Sequence, residues 1–158
     1  KTISQEEFNT LMAKKNEDYL SFIATMNEDE ILPDVPKTLN YLIEEKQPIS
    51  LGSASKNART ILKKVNLYKK FDAIVDGNDV SKAKPDPEVF LIAAKLLEIK
   101  LEDCIVFEDS VAGVQAANTA KMVSIGIGEK NVLHEADYIF KDFTEISEEF
   151  LMDLIKRK

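Results

Sequence analysis

The chain holds a single cysteine, so no internal disulfide can form, and a reducing compartment is expected. That residue, Cys104, lies in a short apolar run and reads as a small core hydrophobe. Histidine is equally scarce: the single His134 has no cysteine or acidic ligand pattern beside it and reads as a surface residue. Long apolar runs are missing, and nothing approaches the ~20 residues a membrane-spanning helix needs. Lys1 leads directly into polar, helix-forming sequence with no signal-peptide pattern, so the cytoplasm is the expected location. Positive charge is short as well. Against 28 Asp and Glu there are 21 Lys and Arg, and the net charge of −7 argues against a nucleic-acid surface, which is normally basic. A few local cations would still suffice for a small anionic substrate. Internal repeats and low-complexity segments are also absent.

What is present is 158 residues, 44% hydrophobic and 31% charged, the make-up of one ordinary globular domain with a sizeable core. Ser4-x-x-Glu7 is a capping box, and Phe8, Leu11, Met12, Tyr19, Phe22, Ile23 and Met26 continue at helical spacing. Pro33 and Pro36 mark a hinge or the entry into a new unit. Thr38 to Glu45 reads as a helix. Thereafter strands and helices alternate: strands at 49–54, 71–75, 104–107, 122–127 and 138–140, helices at 58–67, 86–97, 111–119 and 147–156. Such alternation predicts an α/β fold, a mostly parallel sheet with helices on both faces.

Three constellations carry chemistry. The strand ending at Gly52 runs into Ser53-Ala54-Ser55-Lys56-Asn57, where small residues admit a ligand and the following helix offers amides to an anion. Ser55 or Asn57 could equally be a plain helix cap. Lys84-Pro85-Asp86-Pro87 holds a lysine on a stiff loop end, a good point charge for a phosphoryl group, although a lone Lys-Pro is more often an ordinary solvated loop. Glu108-Asp109 closes an apolar strand with two hard oxygen ligands suited to Mg²⁺, while Asp109 or Ser110 could cap the next helix. All three fall at carboxyl ends of strands of one expected sheet, the edge where α/β proteins bind ligands. Hydroxyls, a cation and a metal together form a cradle for phosphoryl transfer. Lys15 falls on the apolar stripe of the first helix, where snorkelling is the usual explanation.

In these motifs the chain resembles the haloacid-dehalogenase superfamily, and within it the β-phosphoglucomutase-like members. Ser53-Ala54-Ser55-Lys56-Asn57 is similar to the family's second motif, Lys84-Pro85-x-Pro87 to its third, and Glu108-Asp109-Ser110-x-x-Gly113 to its acidic fourth. Glu6-Glu7-Phe8 and Lys14-Lys15-Asn16-x-x-Tyr19 resemble the last long helix of the helical cap. The resemblance implies a Rossmann-like core over 31–158 and a cap remnant over 1–30. It implies that Ser53 holds the transferring phosphoryl group and that Lys84 neutralises it. Ser55, Lys56 and Asn57 would grip the substrate's other phosphate, Glu108 and Asp109 would contribute to Mg²⁺ binding, and Lys15 would reach the sugar rather than snorkel.

One departure stands out. The family's first motif, Asp-x-Asp on a central strand, occurs nowhere in this chain; Asp76 and Asp79 follow a later strand at the wrong spacing. The expectation is an N-terminally truncated chain whose sheet is split and edges exposed. The implied function of the full-length protein is Mg²⁺-dependent phosphoryl transfer through an aspartyl-phosphate, converting glucose 1-phosphate to glucose 6-phosphate. The alternatives are a sugar-phosphate phosphatase and a non-catalytic phosphate-binding domain. These 158 residues alone are expected to show no turnover. The expected partner is a small phosphorylated sugar, with no nucleic acid and no membrane, in a protein that is monomeric at full length.

Overall fold

A computed structural model describes residues 3–156. Helix α1, Gln5–Thr25, starts where the capping box places it: Ser4 Oγ accepts the Glu7 amide, and the Glu7 carboxylate accepts the Ser4 amide. Its apolar stripe is not buried, however. Phe8, Leu11, Met12, Tyr19 and Phe22 are exposed, and only Ile23 near its end is covered. Periodicity identifies an amphipathic helix without saying what packs on it. Helix α2, Val35–Glu44, opens earlier than the expected Thr38, because Pro36 fits a first turn whose amides have no helical partner anyway. Asp34, in the left-handed region at φ 61°, makes the sharp entry.

Strand β1, Ser50–Gly52, leads through the Ser53–Asn57 loop into helix α3, Ala58–Lys64. Helix α3 stops short of the expected Leu67, since Asn66 turns left-handed at φ 55° and lets Leu67 N–H close on Leu62 C=O. Strand β2, Ala73–Val75, is followed by helix α4, Glu88–Leu97. Helix α4 starts two residues later than the expected 86, with Pro87 as its cap, and the Asp86 carboxylate just outside it accepts the Glu88 amide. Strand β3, Ile105–Glu108, helix α5, Val111–Thr119, strand β4, Val123–Ile127, strand β5, Tyr138–Phe140, and helix α6, Glu148–Lys156, complete the order.

Every strand pairing is parallel: β1 with β2, β3 with β4, and β4 with β5. The expected single sheet is, among the described residues, two sheets, β1-β2 and β3-β4-β5. β1 and β3 do not pair. Their residues line a shared apolar cavity of about 330 Å³, with Leu51, Val106, Phe107, Phe90 and Leu154 among its walls. Helices α4 and α5 bridge the halves, and alanines 93, 94, 116 and 117 let them approach the strands closely around Val75, Phe90 and Val106. On the far side Phe150 of α6 packs edge-on against Tyr138 and Phe140, with centroids 5.2 and 4.9 Å away. Among the described residues no helix is long and apolar enough to cross a membrane.

Candidate active site

Lys84 organises the site. The Lys84–Pro85 peptide is cis. The Lys84 ammonium forms an ion pair with Glu108 Oε1, donates to the Gly52 carbonyl at 3.1 Å, and sits 4.7 Å from the centre of the Phe90 ring. It therefore ties the carboxyl tip of β1 to that of β3, although the two strands do not pair. The side chains of the pair are only 13% and 7% exposed, so neither charge has bulk water as a substitute partner.

Glu108 is the last residue of β3 and is buried. Its Oε2 accepts Ser110 Oγ–H at 2.9 Å, and Ser110 Oγ in turn accepts the Gly113 amide at 3.0 Å as the N-cap of α5. Capping therefore falls to Ser110, which leaves Asp109 exposed at the mouth of the site. Gly113 completes the arrangement: a Cβ there would overlap the Glu108 carboxylate. The spacing Glu108-x-x-x-x-Gly113 thus has a steric origin that the residue pattern alone does not reveal.

The Ser53–Asn57 loop is internally braced. Ser53 Oγ accepts the Ser55 amide and Ser55 Oγ accepts the Asn57 amide, both at 3.1 Å. Asn57 is the N-cap of α3 but its side chain makes no capping bond. Ser53 directly follows Gly52, whose carbonyl holds Lys84, so the loop and the lysine share one corner. The structure thus brings Ser53, Lys84, Glu108 and Asp109 to one edge, with Ser55, Lys56 and Asn57 beside them. Lys15 is exposed on α1 and makes no ion pair among the described residues. One turn further along α1, the Tyr19 hydroxyl lies 3.4 Å from Ser55 Oγ. The sequence singled out Lys15 on that helix, but the contact with the loop belongs to Tyr19. Its place four residues after Lys15, on the same helix face, was the available signal.

Two carboxylates can serve as part of a Mg²⁺ site, because that ion commonly takes one or two from the protein and fills its octahedron with water and phosphate oxygens. Among the described residues no group of three or more His, Cys, Asp or Glu forms a fuller cage. Asp76 and Asp79 stay out of the site and pair instead with Arg59 of α3. Burial works to raise the Asp76 carboxyl, but hydrogen bonds from Asn78 and Arg59 outweigh it and hold the group below the ordinary carboxylate value.

Residues 2–121 match the family model for haloacid dehalogenase-like hydrolases. The β-phosphoglucomutase of Bacillus subtilis is 35% identical over 145 residues, covering 92% of this chain and 64% of that protein. The validoxylamine A 7'-phosphate phosphatase of Streptomyces hygroscopicus subsp. limoneus is 30% identical over 129 residues, covering 73% of this chain and 61% of that protein. Against the crystal structure of a β-phosphoglucomutase from Clostridium difficile the TM-score is 0.89 at 33% identity, covering 98% of this chain and 70% of that one. The chain thus spans somewhat less than two thirds of the length of these two curated relatives. The family model covers well over half of the sequence, and the chain belongs to the haloacid dehalogenase-like hydrolase family.

Proposed function

We propose that this chain supplies the phosphate-handling face of an enzyme that moves a phosphoryl group on a small sugar phosphate. The specific reaction proposed is interconversion of glucose 1-phosphate and glucose 6-phosphate. One observation carries the reading: the Lys84 ammonium is fixed between the tip of β1, next to Ser53, and the Glu108 carboxylate at the tip of β3. Phosphoryl transfer needs little covalent chemistry from the protein and depends on placed charge and donors. Ser53 would donate to the transferring group, and Lys84 would neutralise its oxygens. Ser55, Lys56 and Asn57 would hold the second phosphate, and Lys15 would meet the sugar hydroxyls. Glu108 and Asp109 would hold Mg²⁺, which when bound supplies further positive charge at the phosphoryl oxygens.

The nucleophile in this reading is an aspartate of an Asp-x-Asp strand seated in the apolar cavity between β1 and β3. Both edges lack a strand partner among the described residues, and Gly52 and Phe90, which line the cavity, both contact Lys84. The aspartate oxygen would bond to phosphorus as the bond to the sugar oxygen breaks. A phosphatase is the second reading, favoured by the validoxylamine 7'-phosphate phosphatase among the relatives. Water would then take the phosphoryl group. Incubating the intact protein with glucose 1-phosphate and Mg²⁺ separates the two. Glucose 6-phosphate without phosphate release supports the mutase, and stoichiometric inorganic phosphate supports the phosphatase. Binding without turnover leaves a phosphate-binding domain. Full activity in Lys84→Ala would overturn all the catalytic readings.

A further inference from the structure

The turn after β2, Asp76-Gly77-Asn78-Asp79, has no part in the chemistry above, yet it contains a carboxylate that is only 1% exposed. Asp76 Oδ2 pairs with the Arg59 guanidinium. Asp76 Oδ1 accepts the Asn78 backbone amide at 2.9 Å and the Asn78 side-chain amide at 3.0 Å. Asp79 Oδ2 accepts the Asp76 amide and Arg59 Nη2, each at 2.8 Å. Arg59 Nη2 also reaches the Ile74 carbonyl at 2.8 Å. The turn is thereby locked, and Arg59 fastens it to the first turn of α3, the helix that the Ser53–Asn57 loop enters.

This locked turn holds the loop in its turn. Gly77 N–H donates to the Ser55 carbonyl at 3.2 Å, and Asn78 Nδ2 donates to the Lys56 carbonyl at 3.0 Å. Both loop carbonyls are therefore drawn toward the turn. Because a peptide unit is planar and trans, the Lys56 amide on the Ser55 unit points the other way, as does the Asn57 amide, which Ser55 Oγ accepts. Turning the two carbonyl oxygens toward the turn keeps their negative ends off the face that an anion would approach. Gly77 permits the close approach, since a Cβ there would lie 2.5 Å from the Ala54 carbonyl oxygen and 3.2 Å from Lys56 N.

We propose that Asn78 is a positioning residue for sugar-phosphate binding: by holding the Lys56 carbonyl aside, it presents Ser55, Lys56 and Asn57 to the phosphate that is not transferred. The inference rests on the reading of this loop as a phosphate grip. The test is Asn78→Ala in the intact protein, with Lys56→Ala beside it. Asn78 is exposed, and its backbone bond to Asp76 survives the substitution. For Asn78→Ala, KM for glucose 1-phosphate is expected to rise about three- to tenfold, the range of one lost hydrogen bond, with kcat unchanged. A phosphate gripped equally in ground and transition states affects KM alone. Calorimetric affinity for glucose 6-phosphate should fall by the same factor, a readout that does not need turnover. A lowered melting temperature with unchanged KM and affinity would show a merely structural role and overturn the proposal. If Lys56→Ala weakens binding and Asn78→Ala does not, only the positioning role falls. If Lys56→Ala also changes nothing, the phosphate-grip reading falls with it. Should Asn78→Ala not fold, Asn78→Ser takes its place with the same expectation.

Discussion

Gly113→Ala is a one-methyl change whose sign separates two accounts of α5. An alanine for glycine near a helix start ordinarily gains up to about 1 kcal/mol, by removing backbone freedom from the unfolded chain. Here the added Cβ would overlap the Glu108 carboxylate, which Lys84 and Ser110 hold in place. Removing a partner from a buried ion pair costs about 3–5 kcal/mol. A displaced carboxylate that finds water loses only part of that, and overpacking of this kind typically costs about 1–3 kcal/mol. Gly113→Ala is therefore expected to destabilise the intact protein by about 1–3 kcal/mol in urea unfolding followed by circular dichroism. In a Glu108→Ala background the obstacle is gone, and the same Gly113→Ala change should stabilise by up to about 1 kcal/mol. The change of sign is the signature of direct contact. A stabilising Gly113→Ala in the unsubstituted protein would refute the packing argument and, with it, the steric reason for the glycine.

Lys84→Ala leaves Glu108 buried without its cation and should cost about 3–5 kcal/mol, part of which Lys84→Ala/Glu108→Ala recovers; equal losses in both variants would show that the pair is not coupled. Asp76 and Asp79 are both held below the ordinary carboxylate value, Asp76 by Asn78 and Arg59 against its burial, Asp79 by the Asp76 amide and Arg59. Carboxyls lowered in the folded state stabilise fully above their ordinary value, and that contribution is lost as pH falls through the lowered one. Urea midpoints should therefore drop below about pH 4, and Asp76→Asn should flatten that acid limb; an unchanged slope counts against the assignment. Mg²⁺ is expected to raise the melting temperature of the intact protein but not of Glu108→Ala/Asp109→Ala, and an equal rise in both would remove the metal assignment. Tyr19→Phe should change stability by less than about 0.5 kcal/mol, because its 3.4 Å contact with Ser55 is exposed; a larger loss by urea unfolding would mean that α1 depends on this contact for its seat.

Local chemistry was legible from the residues where it depends on near neighbours in the chain. The capping box at Ser4 and the cap at Ser110 involve partners three residues apart, and both form. Helix ends were less legible. Asn66 terminates α3 by turning left-handed, and Pro36 sits inside the first turn of α2, choices that several residue types permit and neighbouring packing settles. The apolar stripe of α1 marks a helix, but its exposure depends on what else lies nearby. The spacing of Asp76 and Asp79 along the chain does not disclose what they do. Their part in bracing the loop needs Arg59 from another element.

The sequence by itself determined the order of strands and helices, their parallel pairing as a class, and the residue types of the proposed phosphate site: Ser53, Lys84 and Glu108-Asp109 at the ends of apolar runs. Hydrophobic period and strand-end chemistry are local properties, so a linear reading reaches them. Tertiary structure alone decided that Lys84 spans the tips of β1 and β3, that Gly113 must lack a side chain, that β1 and β3 flank an apolar cavity, and that Asn78 donates to the Lys56 carbonyl. The Gly113 constraint arises across the short turn from β3 into α5, and the others depend on atoms brought within a few ångströms from distant parts of the chain. Spacing along a sequence does not measure such distances; only the packing of α3, α4 and α5 on the strands sets them.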